Sequence, residues 1–165
     1  MIDKTAIGFG VEKVSTGAAA IEPFAAALER HGLSRVRGET QTLQVSTGLV
    51  CNLSCRHCHL EAGPGRKEIM SRETMEAVVA FARRASFREA DITGGAPEMV
   101  PGLPFLIEAL APHIPRIMLR SNLTALAGAE RVALLDLCIA KRVVLMASFP
   151  STEISLTDSQ RGQGV

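Results

Sequence analysis

The sequence lacks the features that would assign it to several broad functional classes. Its 165 residues contain no run of Lys and Arg and have a net charge of +1, so nucleic-acid binding has no electrostatic footprint. Each long apolar stretch is interrupted by Glu, Pro or Arg, which argues against a membrane-spanning helix. The first residues also lack the charged-then-apolar order of a signal peptide. We therefore expect a cytoplasmic protein in a reducing compartment, with no nucleic-acid or membrane partner.

Cysteine is scarce, yet three of the four cysteines are crowded into one short stretch. Cys51, Cys55 and Cys58 have the spacing C-x3-C-x2-C and follow a strand-like run, whereas Cys138 stands alone. Thiolates this close together can reach one inorganic centre, and Cys sulfur is the usual ligand of iron–sulfur clusters. Three ligands would leave one iron of a [4Fe–4S] cube open to a substrate or cofactor.

Two other interpretations of these cysteines stay open at this point. A zinc site would add His57 or His59 to the three thiolates, although structural zinc usually uses two separate cysteine pairs. A disulfide is the other interpretation, but three clustered cysteines do not pair evenly, and nothing marks the chain as secreted. The spacing favours the cluster.

Apolar periodicity predicts strands and helices in alternation along the chain. Strands are predicted at residues 42–47, 90–93, 116–121 and 143–148. Helices are predicted between them, starting at Ser71 and covering about 103–111 and 128–140, with a polar tail at 151–165. This order is typical of an α/β fold with a parallel sheet and right-handed crossovers.

Chemically unusual residues follow the carboxyl end of each predicted strand. The cysteines follow the first strand, two glycines the second, a Ser-Asn pair the third and a serine the fourth. In parallel α/β sheets, ligands bind beyond this edge. The coincidence on every strand indicates one shared site.

This ordered set resembles the radical S-adenosylmethionine (SAM) superfamily, whose cysteine signature is matched position by position by Cys51, Cys55 and Cys58. The resemblance implies a [4Fe–4S] cluster on those thiolates, SAM on the fourth iron, and reductive cleavage of SAM to a 5′-deoxyadenosyl radical. It also implies a partial (β/α) barrel of about four parallel strands, truncated relative to the family's barrel of about six units. We therefore expect residues 1–40 to be an N-terminal extension with a short helix at 21–31. Residues 41–165 would be the N-terminal part of a radical SAM domain, and the chain an N-terminal fragment.

The resemblance assigns SAM binding to a set of loop residues. Residues 94–97 are similar to the family's Gly-Gly-Glu-Pro segment, which contacts the SAM amino group, although Ala96 replaces the common Glu. His57 stands where many members have an aromatic residue near the adenine, and Arg161 resembles an arginine that reaches SAM. The assigned residues are His57, Gly94, Gly95, Ala96, Pro97, Ser121, Asn122 and Ser148. A small-molecule substrate and an electron donor such as flavodoxin or ferredoxin are implied as partners.

A narrower resemblance, to the radical SAM proteins of arsenosugar biosynthesis, covers roughly residues 40–165. Its motifs lie at residues 42–45, 51–59, 61–64, 91–98 and 119–124. It implies that a 5′-deoxyadenosyl group is joined to a methylated arsenic acceptor, although no residue indicates an arsenic pocket. The alternatives are a non-catalytic zinc-binding or interaction module, and an inert truncated product.

Overall fold

The computed structural model of the chain describes residues 22–36 and 38–164. These described residues fall into two compact units, which divide between Gly38 and Glu39. In the first unit, helix α1 spans Phe24–Arg30 and buries none of its residues. The first part of the predicted extension, residues 1–21 with the start of its helix, lies outside the described residues.

The second unit is built on one sheet of four parallel strands in the order β1-β2-β3-β4. The strands are β1 at Thr42–Ser46, β2 at Glu89–Thr93, β3 at Arg116–Ser121 and β4 at Val144–Ala147. The helices that connect them are α2 at Arg72–Arg84, α3 at Leu103–Leu110 and α4 at Val132–Ala140. The predicted α/β fold is confirmed, and its strand order is that of successive units of a (β/α) barrel.

Local sequence explains where α2 begins and which side it buries. The Ser71 side chain accepts a hydrogen bond from the Thr74 backbone N–H at 3.1 Å, which makes Ser71 the predicted N-cap. Met75 and Ala82, two turns apart, are buried. With 13 residues α2 is the longest described helix, and none of the helices in the described ranges is long and apolar enough to cross a membrane.

The hydrophobic core lies on one face of the sheet. Ala90 and Ile92 of β2 and Leu119 of β3 are completely buried and belong to the same cluster as α3. The buried residues of α3 are Leu103, Leu106, Ile107 and Leu110. Because side chains alternate between the two faces of a strand, the intervening residues, such as Gln44 and Arg120, point to the other face and line a cavity.

Two elements near the end of the chain differ from their predictions. The predicted helix at 128–140 starts with a 3-10 turn at Ala129–Arg131 and becomes α-helical only from Val132. The tail, predicted to be merely polar, contains a further helix, α5, at Ile154–Arg161. Its Ser, Thr and Asp residues are weak helix formers, so sequence periodicity does not reveal it. Instead, burial of Thr157 and Arg161, which lie one turn apart, stabilises the helix.

We predict that Leu119→Ala lowers the free energy of unfolding by about 2–5 kcal/mol, because it removes a fully buried side chain at the centre of the sheet. The matched control is Leu156→Ala on α5, where the leucine is 49% exposed, and a change within about 0.5 kcal/mol is expected. Urea unfolding followed by circular dichroism measures both. Equal losses in the two variants would contradict the described core.

Candidate functional site

The clustered cysteines form part of the wall of one cavity of about 470 Å³, a size common for ligand pockets. All three are free thiols; Cys51 is buried, and Cys55 and Cys58 are partly buried. Their loop is tied down by backbone hydrogen bonds, from Cys51 N–H to Gly63 O at 3.3 Å and from Arg56 N–H to Gln160 O at 2.8 Å.

The cavity brings together most of the residues predicted for the site. From the predicted set it is lined by Cys51, Cys55, His57, Cys58, Gly94, Gly95, Ser121, Asn122 and Ser148. Ala96 and Pro97 are buried beside it and do not line it. His59 lines the cavity as well, whereas Cys138 lies on α4 in the hydrophobic core, where burial raises the pKa of its thiol.

The thiols affect one another electrostatically. Burial raises the pKa of Cys55; the positive charge of Arg161 lowers it, and the neighbouring Cys51 and Cys58 raise it again. The pKa of Cys55 is raised on balance, because the effect of burial exceeds that of Arg161 and the two neighbouring cysteines add a smaller increase. A bound cationic centre reverses that balance and deprotonates its thiol ligands.

The positions of the three thiols suit an iron–sulfur cluster better than a single metal ion. Among the residues that the structure describes, no three or more His, Cys, Asp or Glu side chains converge to hold a single metal ion. A [4Fe–4S] cube offers a different iron to each thiolate, so its ligands need to surround a cluster-sized space rather than meet at one point. Cys51, Cys55 and Cys58 all line the same cavity, as this requirement demands.

Asn122 holds the cysteine loop from the end of β3. Its side-chain N–H groups donate to Cys51 Sγ at 3.6 Å and to Asn52 Oδ1 at 2.9 Å. Its Oδ1 accepts a hydrogen bond from Thr124 Oγ1 at 2.9 Å. The next residue, Leu123, adopts a left-handed φ of 68°, which a bulky residue rarely does. Through its hydrogen bond to Cys51, Asn122 contacts a cysteine sulfur, and it also lines the cavity.

Glu98 is buried near the turn that follows β3. Only 1% of the residue is exposed, and its Oε1 accepts a hydrogen bond from Ser121 Oγ at 2.7 Å. Ser121 Oγ in turn accepts from the Leu123 N–H at 2.9 Å. The hydroxyl predicted to approach SAM is thus engaged in supporting the turn after β3.

The two glycines after β2 allow two loops to pack closely. A Cβ on Gly95 would lie 2.8 Å from Val50 C and 2.9 Å from Leu49 O, and Gly94 has a φ of 144°. The Gly95 N–H donates to Gly48 O at 2.9 Å, and the Ala96 N–H donates to Val50 O at 2.8 Å. The close neighbour of these glycines is thus the segment that leads to Cys51.

Arg161 of α5 closes the side of the cavity after β4. Its Nη2 donates to the Ser148 carbonyl oxygen and, at 2.8 Å, to Ser148 Oγ, while its Nη1 donates to Asn122 O at 3.4 Å. The residue is only 6% exposed, and within the described ranges it has no carboxylate partner among the ion pairs. The cavity therefore holds a guanidinium whose charge is not neutralised by an acidic residue.

A second arginine on the cavity wall was missed by the sequence analysis. Arg120 of β3 donates from Nε to Asp91 Oδ1 at 2.8 Å and from Nη2 to Asp91 Oδ2 at 2.9 Å. The Gln44 side chain donates to the same Oδ2 at 2.9 Å. The hydrogen bonds from Arg120 hold the pKa of Asp91 below its usual range, despite desolvation. The alternation of polar and apolar residues in these strands could have indicated Arg120, because it places this side chain on the face opposite the core.

The fold and the cavity define a class of protein: a parallel β/α sheet with a three-cysteine loop at its carboxyl edge. Residues 45–154 match the Radical SAM superfamily. The chain belongs to this superfamily, whose members use a [4Fe–4S] cluster and SAM.

Solved structures share the fold at low sequence identity. Streptococcus suis SuiB bound to SAM is 17% identical, with a TM-score of 0.63 over 84% of this chain and 31% of SuiB. The protein anSMEcpe with bound AdoMet (SAM) is 19% identical, with a TM-score of 0.58 over 77% of this chain and 36% of its own. BtrN in complex with AdoMet and 2-DOIA is 16% identical, with a TM-score of 0.50 over 62% and 44%.

These comparisons show a shared fold, and the chain spans about a third of the length of SuiB and of anSMEcpe. No curated protein matches the sequence significantly.

We predict that Gly95→Ala destabilises the protein by about 1–3 kcal/mol, because the added methyl group meets the Leu49–Val50 backbone. Gly65→Ala is the matched control, since a Cβ there has no atom within 4 Å, and it should change stability by about 1 kcal/mol at most. Thermal unfolding of both variants tests this. A Gly95→Ala variant as stable as Gly65→Ala would rule out the close approach of the two loops.

Proposed function

We propose that this chain is the cluster- and SAM-binding part of a radical SAM enzyme that generates a 5′-deoxyadenosyl radical. The observation that carries the proposal is the position of the three free cysteines. They share one cavity with residues that follow the three other strands, Gly95, Asn122 and Ser148. Membership of the superfamily supports the same assignment.

In this proposal Cys51, Cys55 and Cys58 hold a [4Fe–4S] cluster. When bound, such a cluster supplies the electron that cleaves the sulfonium of SAM. Asn122 donates a hydrogen bond to Cys51 Sγ, and hydrogen bonds to the sulfurs help set the reduction potential of a cluster. Backbone hydrogen bonds to Gly63 and Gln160 hold the cysteine loop in place.

The SAM site is assigned to the edge formed by the turn after β2 and by α5. The N–H groups of Gly95 and Ala96 donate to loop carbonyls, and the Ala96 and Pro97 carbonyls accept from Met99 and Val100. The carbonyl oxygens of Gly94 and Gly95 accept no backbone hydrogen bond from another described residue, so they can accept one from an ammonium group. The buried guanidinium of Arg161, held by Ser148, suits a carboxylate. His57 lines the same cavity, and its ring can stack on an adenine.

For the substrate, we propose a small molecule, and specifically a methylated arsenic acceptor to which the 5′-deoxyadenosyl group is joined. The support is the sequence resemblance to arsenosugar-biosynthesis proteins, which lies in the motifs around the cysteines and after β2 and β3. An electron donor such as flavodoxin or ferredoxin would be required, since the reaction consumes one electron.

Anaerobic reconstitution with iron and sulfide tests the cluster. The unaltered chain should bind about four irons and release 5′-deoxyadenosine from SAM under reducing conditions. Cys55→Ala should lose most of the iron, because it removes one of the three cluster ligands. Cys138→Ala, which changes a buried cysteine outside the cavity, is the matched control and should keep the iron of the unaltered chain.

Other outcomes point to other functions. Binding of one zinc ion without uptake of iron would favour a structural zinc module. Assembly of a cluster that never cleaves SAM would favour an inert product. Equal iron loss in Cys55→Ala and Cys138→Ala would contradict the assignment of the cluster to the cavity.

A further inference from the structure

We propose that Arg120, held in place by Asp91 and Gln44, binds an anionic group of the substrate, such as a carboxylate or another oxyanion. This inference deepens the proposed function and rests on it, because it takes the cavity to be where the substrate meets SAM. It assigns a chemical class to the substrate and names the residue that recognises it.

The first support is that Arg120 is fixed before any ligand arrives. Asp91 is 3% exposed and accepts from Nε and Nη2 of Arg120 and from Gln44. These donors satisfy both carboxylate oxygens, which a buried carboxylate requires. A guanidinium held in this way loses little conformational freedom on binding a ligand.

The second support is that this arrangement leaves part of the guanidinium available. Arg120 lines the cavity and its side chain is 48% exposed. Asp91 engages Nε and Nη2, while for Nη1 no hydrogen bond to another described residue is found. A guanidinium has five N–H donors, so the Nη1 edge can donate to a further oxyanion in the paired geometry that arginine favours.

The third support is which charged side chains reach the cavity wall. The wall as described contains the two arginines Arg120 and Arg161 and no aspartate or glutamate. Arg161 is bonded to Ser148 and Asn122 near the cysteine loop and is assigned above to SAM. Arg120 lies elsewhere, on the sheet face beside Gln44, so it is the arginine left for a second anion.

A comparable ion pair on the same strand provides the control. Arg116 pairs with Glu89 at 3.4 Å, and these two residues are partners in the β2–β3 ladder. Arg116 and Arg120 lie on the same face of β3 because they are four residues apart. Arg116 does not line the cavity, so removing it breaks an ion pair on the same face of β3 without touching the proposed site. Its partner Glu89 is more exposed than Asp91.

The test measures anion binding to the reconstituted full chain by calorimetry at low salt, with dimethylarsinate and acetate as probes and SAM as a separate ligand. The unaltered chain should bind at least one probe, and Arg120→Ala should weaken that binding about tenfold or more. Arg116→Ala should change it by less than about twofold. SAM affinity should stay within about twofold of the unaltered value in both variants. If Arg120→Ala does not fold, Arg120→Gln, which keeps a polar side chain, should show the same loss.

Three results would overturn the inference: no binding of either probe, equal weakening in the Arg116 and Arg120 variants, or a loss of SAM affinity that accompanies the loss of the anion. A preference for dimethylarsinate or for acetate identifies which oxyanion the site favours. Iron content and SAM cleavage are measured on the same unaltered protein. Their absence would refute the proposed function, whereas normal values without Arg120-dependent anion binding would refute only this inference.

Discussion

The site depends on a parallel backbone ladder that continues beyond the ends of β1 and β2. Just after β1, the Thr47 N–H donates a hydrogen bond to the carbonyl oxygen of Thr93, the last residue of β2, at 2.9 Å. Beyond both strands, the Gly95 N–H donates to Gly48 O at 2.9 Å. The two segments approach so closely that a side chain at position 95 would have no room. Because Cys51 follows directly, this ladder sets where the cysteine loop leaves the sheet.

Hydrogen bonds of the buried side chains of Glu98 and Arg161 then connect the segments that follow the strands. Glu98 after β2 accepts from Ser121 at the end of β3, and Ser148 after β4 accepts from Arg161 of α5. Buried polar groups need such partners, since an unsatisfied one costs about 1–3 kcal/mol. The hydrogen bonds therefore hold each turn in one conformation, which is the preorganisation that a cofactor site requires.

The sequence predicted the parts of the molecule that depend on local spacing. Alternating strands and helices followed from periodicity, and residues predicted after each of the four strands line one cavity in the structure. Contacts between distant residues were not accessible in this way. Asp91 and Arg120 are 29 residues apart, and their pairing depends on the register of β2 against β3. Helix α5 was missed because burial of its side chains, rather than helix propensity, stabilises it.

We propose that Cys51, Cys55 and Cys58 would hold a [4Fe–4S] cluster with one iron left for SAM. Electron paramagnetic resonance of the reconstituted, anaerobically reduced chain tests it most directly, recorded with and without SAM. We predict the signal of a reduced [4Fe–4S] cluster, with g values that change on addition of SAM, because SAM would bind the iron that no cysteine holds. A cluster signal that SAM leaves unchanged, or a chain without a cluster signal, would contradict it.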